Sequence, residues 1–249
     1  MSAMAGADRA ADVAAILLGI GAVAFRVSPP FRFRSGMMSP IYTDNRLLCS
    51  YPRERRRVID HMAGILEEKQ IRPDVLAGVS TAGIPHAAWL ADLLALPMVY
   101  VRGEAKDHGK GKRVEGTLFP ARSESPSARR PLAVGEPAPP PTHAVPAPNV
   151  IVVEDLVTTG GGALEAVNGV RAEGGQVRHC LAICTYGFPQ AAMAFAAAAV
   201  TLLPLCDFDE LVRAAERRGL LRDDERAIAL DWRSDPSGWA ARHGLNANA

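Results

Sequence analysis

The chain has 249 residues, of which 48% are hydrophobic and 22% charged, so it can bury a sizeable core as one large α/β domain or a domain with additions. Its net charge of +1 provides no bulk attraction to nucleic acid or to an anionic membrane, and we expect neither as a partner. The four cysteines show no paired C-x-x-C spacing, which excludes the common zinc frameworks and favours reduced thiols in a cytoplasmic protein.

The first predicted elements come from an apolar stretch near the N-terminus. Residues 13–25 are apolar but too few to span a bilayer. Asp12 borders the stretch, and no export-type cleavage pattern follows it. The pattern therefore predicts a helix over residues 10–18 and a short strand over residues 22–26.

Helices and strands alternate in the next part of the chain. Apolar periodicity and β-branched runs distinguish the two kinds of element. Such alternation predicts a mostly parallel sheet with helices on both faces. The predicted elements are a helix over 53–70, a strand over 75–79, a helix over 84–94 and a strand over 98–102.

Two loops follow predicted strands at the same sheet edge. Residues 80–83 form a turn of small residues that suits close approach of a phosphate group. Residues 104–113 are polar, basic and glycine-bearing, and they follow Arg102. A solvated charge run is the bland alternative. We expect this second loop instead to fold over an anionic substrate.

Residues 119–148 have an unusual composition, with six of the prolines between residues 126 and 141 and more after them. Such a segment cannot form a core helix or strand. We predict a disordered or loosely ordered insertion within a single domain that spans residues 1–249.

The run from residue 150 to residue 162 carries the strongest functional signal. Four β-branched residues predict a buried strand, followed by the adjacent acids Glu154 and Asp155, a Thr-Thr-Gly-Gly-Gly loop and a helix. Acids at a strand's carboxyl end can accept hydrogen bonds from ribose hydroxyls or hold magnesium, and glycines before a helix can cradle phosphate. Neither the Walker spacing nor the dinucleotide fingerprint fits. The alternative is an ordinary strand-to-helix turn that tolerates glycine.

The remainder of the chain predicts one more buried strand and then helices. Residues 179–184 have the composition of a core strand, and residues 207–218 and 223–231 have helical periodicity. Trp232 and Trp239 are expected to pack the end of the last helix. A helical cap over the sheet edge follows from this arrangement.

Four segments together resemble the orotate branch of the type I phosphoribosyltransferases, over nearly the whole chain except the Pro-rich insertion. Residues 150–162 are similar to the family's phosphoribosyl-pyrophosphate (PRPP) motif, which specifies only the superfamily. Residues 78–85 resemble its pyrophosphate loop. Residues 31–46 resemble the orotate signature, and residues 100–109 the orotate-type catalytic loop.

The resemblance implies a type I phosphoribosyltransferase-like α/β fold, in which helices flank a mostly parallel sheet, with a small N-terminal hood and a helical C-terminal cap. It implies transfer of the phosphoribosyl group of PRPP to orotate, giving orotidine 5′-phosphate and pyrophosphate in pyrimidine (UMP) biosynthesis. Mg²⁺ would be carried mainly by PRPP, so no residue is assigned as a metal ligand. A homodimer is implied, with the flexible catalytic loop acting at the partner's site.

The resemblance also assigns roles to individual residues. Lys106, His108 and Asp155 would be catalytic, and Glu154 and Asp155 would bind the ribose hydroxyls. The residues from 156 to 162 would cradle the 5-phosphate. The full set of implied substrate-binding residues is Arg34, Tyr42, Thr81, Ala82, Gly83, Arg102, Lys106, His108, Glu154, Asp155, Leu156, Val157, Thr158, Thr159, Gly160, Gly161 and Gly162.

Departures from the family pattern leave three alternatives open. Gly162 stands where a serine usually ends the phosphate loop, and Gly103 stands where some members carry a second lysine. These changes and the insertion suit an inactive paralogue. A purine-type transferase is a second alternative, against which Arg34 and the orotate signature argue. A non-catalytic PRPP-binding regulator is the third, and it would have little need of Lys106 and His108.

Overall fold

The computed structural model describes residues 2–33, 35–103, 113–119 and 146–245, with the backbone alone at residues 2–5 and 7. Most of the Pro-rich segment, residues 120–145, lies outside the described residues. Within the described ranges, no helix is both long enough and apolar enough to cross a membrane.

A six-stranded sheet forms the centre of the fold, in the order β10-β9-β8-β5-β6-β7. All neighbouring pairs are parallel except β6 and β7, which pair antiparallel. This confirms the mostly parallel sheet that the alternation predicts. The strands are β1 Val23–Phe25, β2 Phe31–Arg32, β3 Met38–Ser39, β4 Ile41–Thr43, β5 Val75–Val79, β6 Met98–Val101, β7 Val114–Glu115, β8 Asn149–Val157, β9 Gln176–Thr185 and β10 Thr201–Asp207.

Helices cover both faces of the sheet because its central strands are apolar on both sides. In β8, Ile151 and Val153 pack into one core with α1, α2, α3 and α6, whereas Val150 and Val152 pack into a second core with α4 and α5. The helices are α1 Ser2–Gly19, α2 Pro52–Glu68, α3 Gly83–Leu94, α4 Gly161–Ala172, α5 Pro189–Ala197, α6 Phe208–Arg217, α7 Asp223–Ser234 and α8 Trp239–Arg242.

The predicted elements are confirmed within about two residues at most ends, with α1 as the main exception. Its helix begins at Ser2, eight residues before the predicted start. The added residues are rich in alanine, the residue with the highest helix propensity.

Strand β8 corrects the prediction for residues 150–162. We expected the strand to end before the acids, but it continues through Glu154 and Asp155 to Val157. The reason is β9, which runs alongside with Leu156 opposite Cys184 and Val157 opposite Thr185, so the ladder continues past the acids. Helix α4 likewise begins at Gly161, so the connecting turn is shorter than the predicted loop.

The N-terminal hood, residues 23–50, consists of two small antiparallel sheets, β1 with β4 and β2 with β3, and a 3-10 helix, Asn45–Ser50. The C-terminal helices hold it in place: the buried Trp232 indole donates a hydrogen bond to the Met38 carbonyl at 3.0 Å. The Trp232 ring also contacts Tyr186 and Phe208, which directly follow β9 and β10. These contacts confirm the predicted helical cap at the carboxyl ends of the strands.

Candidate active site

The turn between β8 and α4 encloses a cavity of about 320 Å³ lined by the consecutive residues 154–163. Residues 154–157 belong to the end of β8, residues 158–160 form the turn, and the rest open α4. The first amides of a helix have no intrahelical partner, and the helix dipole favours an anion beside them. The cavity therefore suits a phosphate group.

Gly160 is the one residue of this turn whose backbone requires glycine. Its φ of +86° is unfavourable for residues with a side chain, and an added Cβ would lie 2.8 Å from Cε2 of Phe195. Its carbonyl accepts the hydrogen bond from the Leu164 amide at 3.0 Å that starts α4. Gly160 thus fixes where the helix begins and where its free amides point.

Glu154 and Asp155 line the same cavity from the end of β8. Burial disfavours the charged forms of both side chains. Burial and the neighbouring Asp155 charge raise the pKa of Glu154 to about 9. Burial likewise raises the pKa of Asp155, although the charge of Arg46 acts in the opposite direction. The acid pair consequently retains a proton near neutral pH until a cation or a hydrogen-bond donor arrives.

Because the acid pair retains this proton, the stability of the ligand-free protein should depend on pH. Because the pKa of Glu154 is about 9 in the folded chain and near 4.5 otherwise, the folded state binds more protons between these values. Stability therefore falls as the pH rises from about 4.5 to 9. Glu154→Gln should remove this fall. At pH 8 its free energy of unfolding should exceed that of the wild type by about 1–3 kcal/mol.

Urea unfolding at several pH values between 5 and 9 measures this difference. Glu67→Gln, on the exposed surface of α2, is the control and should follow the wild-type curve. Equal pH dependence of Glu154→Gln and the wild type would contradict the prediction.

The small-residue turn lies directly against the acid pair. Thr81 and Ala82 lead into α3, which begins at Gly83. An added Cβ on Gly83 would lie 2.4 Å from the Val153 carbonyl oxygen and 3.3 Å from the Glu154 Cα atom. Only glycine lets α3 approach β8 this closely, so the structure brings residues 81–83 to the site, as the sequence predicts. The Ser80–Thr81 peptide bond is cis.

Arg102 stands at the carboxyl end of β6, on the next strand of the same edge. Its Nε atom lies 3.3 Å from Oε1 of Glu115, across the β6–β7 pair, and the adjacent Val101 carbonyl accepts a hydrogen bond from the Ser80 amide at 2.9 Å. Arg102 is thereby placed beside the turn of residues 80–83.

Three of the predicted site residues, Arg34, Lys106 and His108, lie outside the described residues. Tyr42 is described: its side chain on β4 is 45% exposed, and its ring centroid lies 5.7 Å from that of Phe31. The Tyr42 ring is therefore accessible on the hood, in keeping with a contact to substrate.

Asn45 is a site neighbour that the sequence does not reveal. This fully buried residue donates a hydrogen bond from Nδ2 to the Asp155 carbonyl at 2.9 Å, although the two lie 110 positions apart in the chain. Asparagine after Asp44 carries no periodicity or spacing signal. Its burial against β8 follows only from the packing of the hood.

Comparison with known proteins agrees with this site. The model of the phosphoribosyl transferase domain matches residues 50–191. Orotate phosphoribosyltransferase of Lactiplantibacillus plantarum is 40% identical over 92% of this chain and 96% of its own length. The orotate phosphoribosyltransferase of Coxiella burnetii is 38% identical over 93% of this chain and 99% of its own length. The crystal structure of orotate phosphoribosyltransferase from Aeropyrum pernix superposes with a TM-score of 0.64 at 26% identity, covering 84% of this chain and 99% of that one.

Proposed function

Because the chain belongs to the phosphoribosyl transferase domain family, and within it to the orotate phosphoribosyltransferases, we propose that it joins orotate to the phosphoribosyl group of PRPP. A bond forms between an orotate nitrogen and the anomeric carbon of ribose, and the bond from that carbon to the pyrophosphate oxygen breaks. The products are orotidine 5′-phosphate and pyrophosphate, a step of pyrimidine biosynthesis.

The observation that carries the proposal is the cavity of residues 154–163, which combines an acid pair with the start of a helix. The amides of the turn and of α4 would bind the 5-phosphate, with the Thr158 and Thr159 hydroxyls adding donors. Glu154 and Asp155 would accept hydrogen bonds from the ribose hydroxyls. These contacts would hold the anomeric carbon at the sheet edge, beside the turn of residues 81–83.

The charge of the acid pair also suits the reaction. As the bond to pyrophosphate lengthens, positive charge develops on the ribose ring, and carboxylates fixed beside it stabilise that charge. The residues present fit Mg²⁺ carried by PRPP, because this ion commonly meets one or two protein carboxylates and otherwise keeps phosphate and water ligands. Bound there, Mg²⁺ would neutralise charge on the departing pyrophosphate, and Glu154 and Asp155 are the residues that would contact it.

Pyrophosphate would leave toward the turn of residues 81–83 and Arg102. We propose that Lys106 and His108 reach it from the partner subunit of a homodimer, and that the enzyme works in the cytoplasm. The described ends of their loop, at Gly103 and Arg113, lie at the β6–β7 edge of the sheet.

Orotate consumption tests the proposal directly. Purified protein with PRPP and Mg²⁺ should lower orotate absorbance and release pyrophosphate, whereas hypoxanthine and adenine should give no product. Activity with a purine and none with orotate would replace the proposal by a purine-type transferase. PRPP binding without any product, at any Mg²⁺ concentration, would favour the non-catalytic regulator.

Gly162→Ser should improve PRPP binding. Among the described residues outside the backbone of α4, only Glu154 has an atom within 4 Å of an added Cβ at this position, Oε2 at 3.9 Å, so the side chain fits without strain. Its hydroxyl would add one donor to the phosphate cradle, worth about 0.5–1.5 kcal/mol, or a fall in KM for PRPP of about 2- to 10-fold. Steady-state kinetics measure this fall in KM. Gly162→Ala is the control without a hydroxyl, and an equal KM for the two variants would contradict the prediction.

A further inference from the structure

The hood makes a direct hydrogen bond to the acid pair through Asn45. Asn45 opens the 3-10 helix, is fully buried, and donates from Nδ2 to the Asp155 carbonyl at 2.9 Å. The same Nδ2 atom lies 3.5 Å from Cys184 Sγ on β9. The amide is therefore held between two neighbouring strands of the sheet, at the level of Asp155.

The stability of the fold does not explain this residue. Among the described residues, none forms a hydrogen bond with the Asn45 Oδ1 atom, which is buried. An unsatisfied buried acceptor costs free energy, and an apolar side chain of the same size would avoid that cost. A benefit elsewhere must offset it, and the hydrogen bond to Asp155 is the contact that supplies one.

The neighbours of Asn45 fix its position. Asp44 accepts hydrogen bonds from the Arg46 amide at 3.2 Å and from its guanidinium at 2.6 and 2.8 Å, which holds the start of the 3-10 helix. Two residues before Asn45, at the end of β4, the Thr43 hydroxyl accepts a hydrogen bond from the buried Tyr186 hydroxyl at 3.1 Å. The Asn45 amide thus projects from a segment held on both sides.

We propose that Asn45 is a positioning residue for the acid pair: its amide fixes the Asp155 backbone so that both carboxylates face the ribose of PRPP. The inference rests on the proposed function. Side chains that bind substrate are held in productive geometry by hydrogen bonds from the surrounding shell. Asn45 supplies one such bond from the hood, which makes the position of the acids depend on the hood.

The test compares Asn45→Leu with Tyr186→Phe, once the wild-type protein has been shown to consume orotate. Asn45→Leu keeps the side-chain volume and removes the donor. We expect kcat/KM for PRPP to fall about 10- to 100-fold, as for the loss of outer partners of metal ligands, with KM for orotate little changed. Tyr186→Phe removes the hydrogen bond that Tyr186 donates to Thr43 of the hood, and its activity should stay within about twofold of the wild type.

Asn45→Ala is the second variant, should Asn45→Leu not fold. Alanine has no side-chain donor and no bulk that could clash, so the same loss is expected. Calorimetric titration with PRPP and Mg²⁺ measures the weaker binding without turnover, and thermal unfolding checks that the fold persists.

Two results would overturn the inference. One is an active wild type with Asn45→Leu or Asn45→Ala within twofold of it in kcat/KM for PRPP. The other is an equal loss in Tyr186→Phe, which would assign the effect to a loosened hood. A wild type without activity toward orotate would instead refute the proposed function.

Discussion

Lys106→Ala is expected to lower kcat about 100- to 1,000-fold while leaving PRPP binding nearly unchanged. The size follows from analogy with a lost donor to developing charge, because the departing pyrophosphate gains charge only as its bond breaks. Lys106 lies outside the described residues, but the strands on both sides of its loop end at the edge that carries Arg102 and the turn of residues 81–83. Steady-state kinetics with calorimetric PRPP titration separate the two effects.

A mixing experiment determines whether Lys106 acts in the active site of its own subunit or in that of the partner subunit. If the loop acts in the partner's site, mixed dimers of Lys106→Ala and Asp155→Ala contain one site with both native residues. Activity should then return on mixing and subunit exchange. No return would assign the loop to its own subunit, and an unchanged kcat in Lys106→Ala would contradict a catalytic role.

Gly83→Ala is expected to destabilise the fold and to abolish PRPP binding. The new Cβ would lie 2.4 Å from the Val153 carbonyl oxygen, and both atoms belong to regular elements that cannot move independently. Overpacking of this kind costs about 1–3 kcal/mol or more. Any relaxation moves α3 away from β8, which displaces Thr81 and Ala82 from the acid pair.

Gly64→Ala provides the matched control. Gly64 lies inside α2, and no atom of the described part of the chain outside that helix's backbone stands within 4 Å of an added Cβ. Alanine there should stabilise the protein by about 0.5–1 kcal/mol, because glycine is the poorer helix former. Urea unfolding of both variants measures the difference. A Gly83→Ala protein as stable as the wild type would show that α3 and β8 are not packed as described.

Much of the site was predictable because it is local in sequence. The cavity is lined by ten consecutive residues, 154–163. The β-branched residues, acids and glycines of the run 150–162 predict a strand, a turn and a helix in that order. What this pattern could not provide was the length of β8. The strand continues past the acids because β9 lies beside it, and pairing with a distant strand leaves no trace in the local pattern.

The contacts around the cavity were less predictable. The sequence places Gly83 in a turn suited to phosphate but does not show how closely this residue packs against Val153. Glu115 has no motif that would pair it with Arg102. The assignment of orotate rested on resemblance over residues 31–46 and 100–109. The comparison with orotate phosphoribosyltransferases at about 40% identity confirms it over most of the chain.

The sequence by itself determined the alternating fold and the phosphate-type turn at Gly160, because helix periods, β-branched runs and glycine conformations depend on neighbours a few residues apart. Only the tertiary structure decided which distant residues meet the acid pair. Asn45 reaches Asp155 across 110 positions, and burial of the pair raises the pKa of Glu154 to about 9. Both depend on how the hood and sheet pack, since long-range contacts and desolvation arise only when distant segments exclude water together.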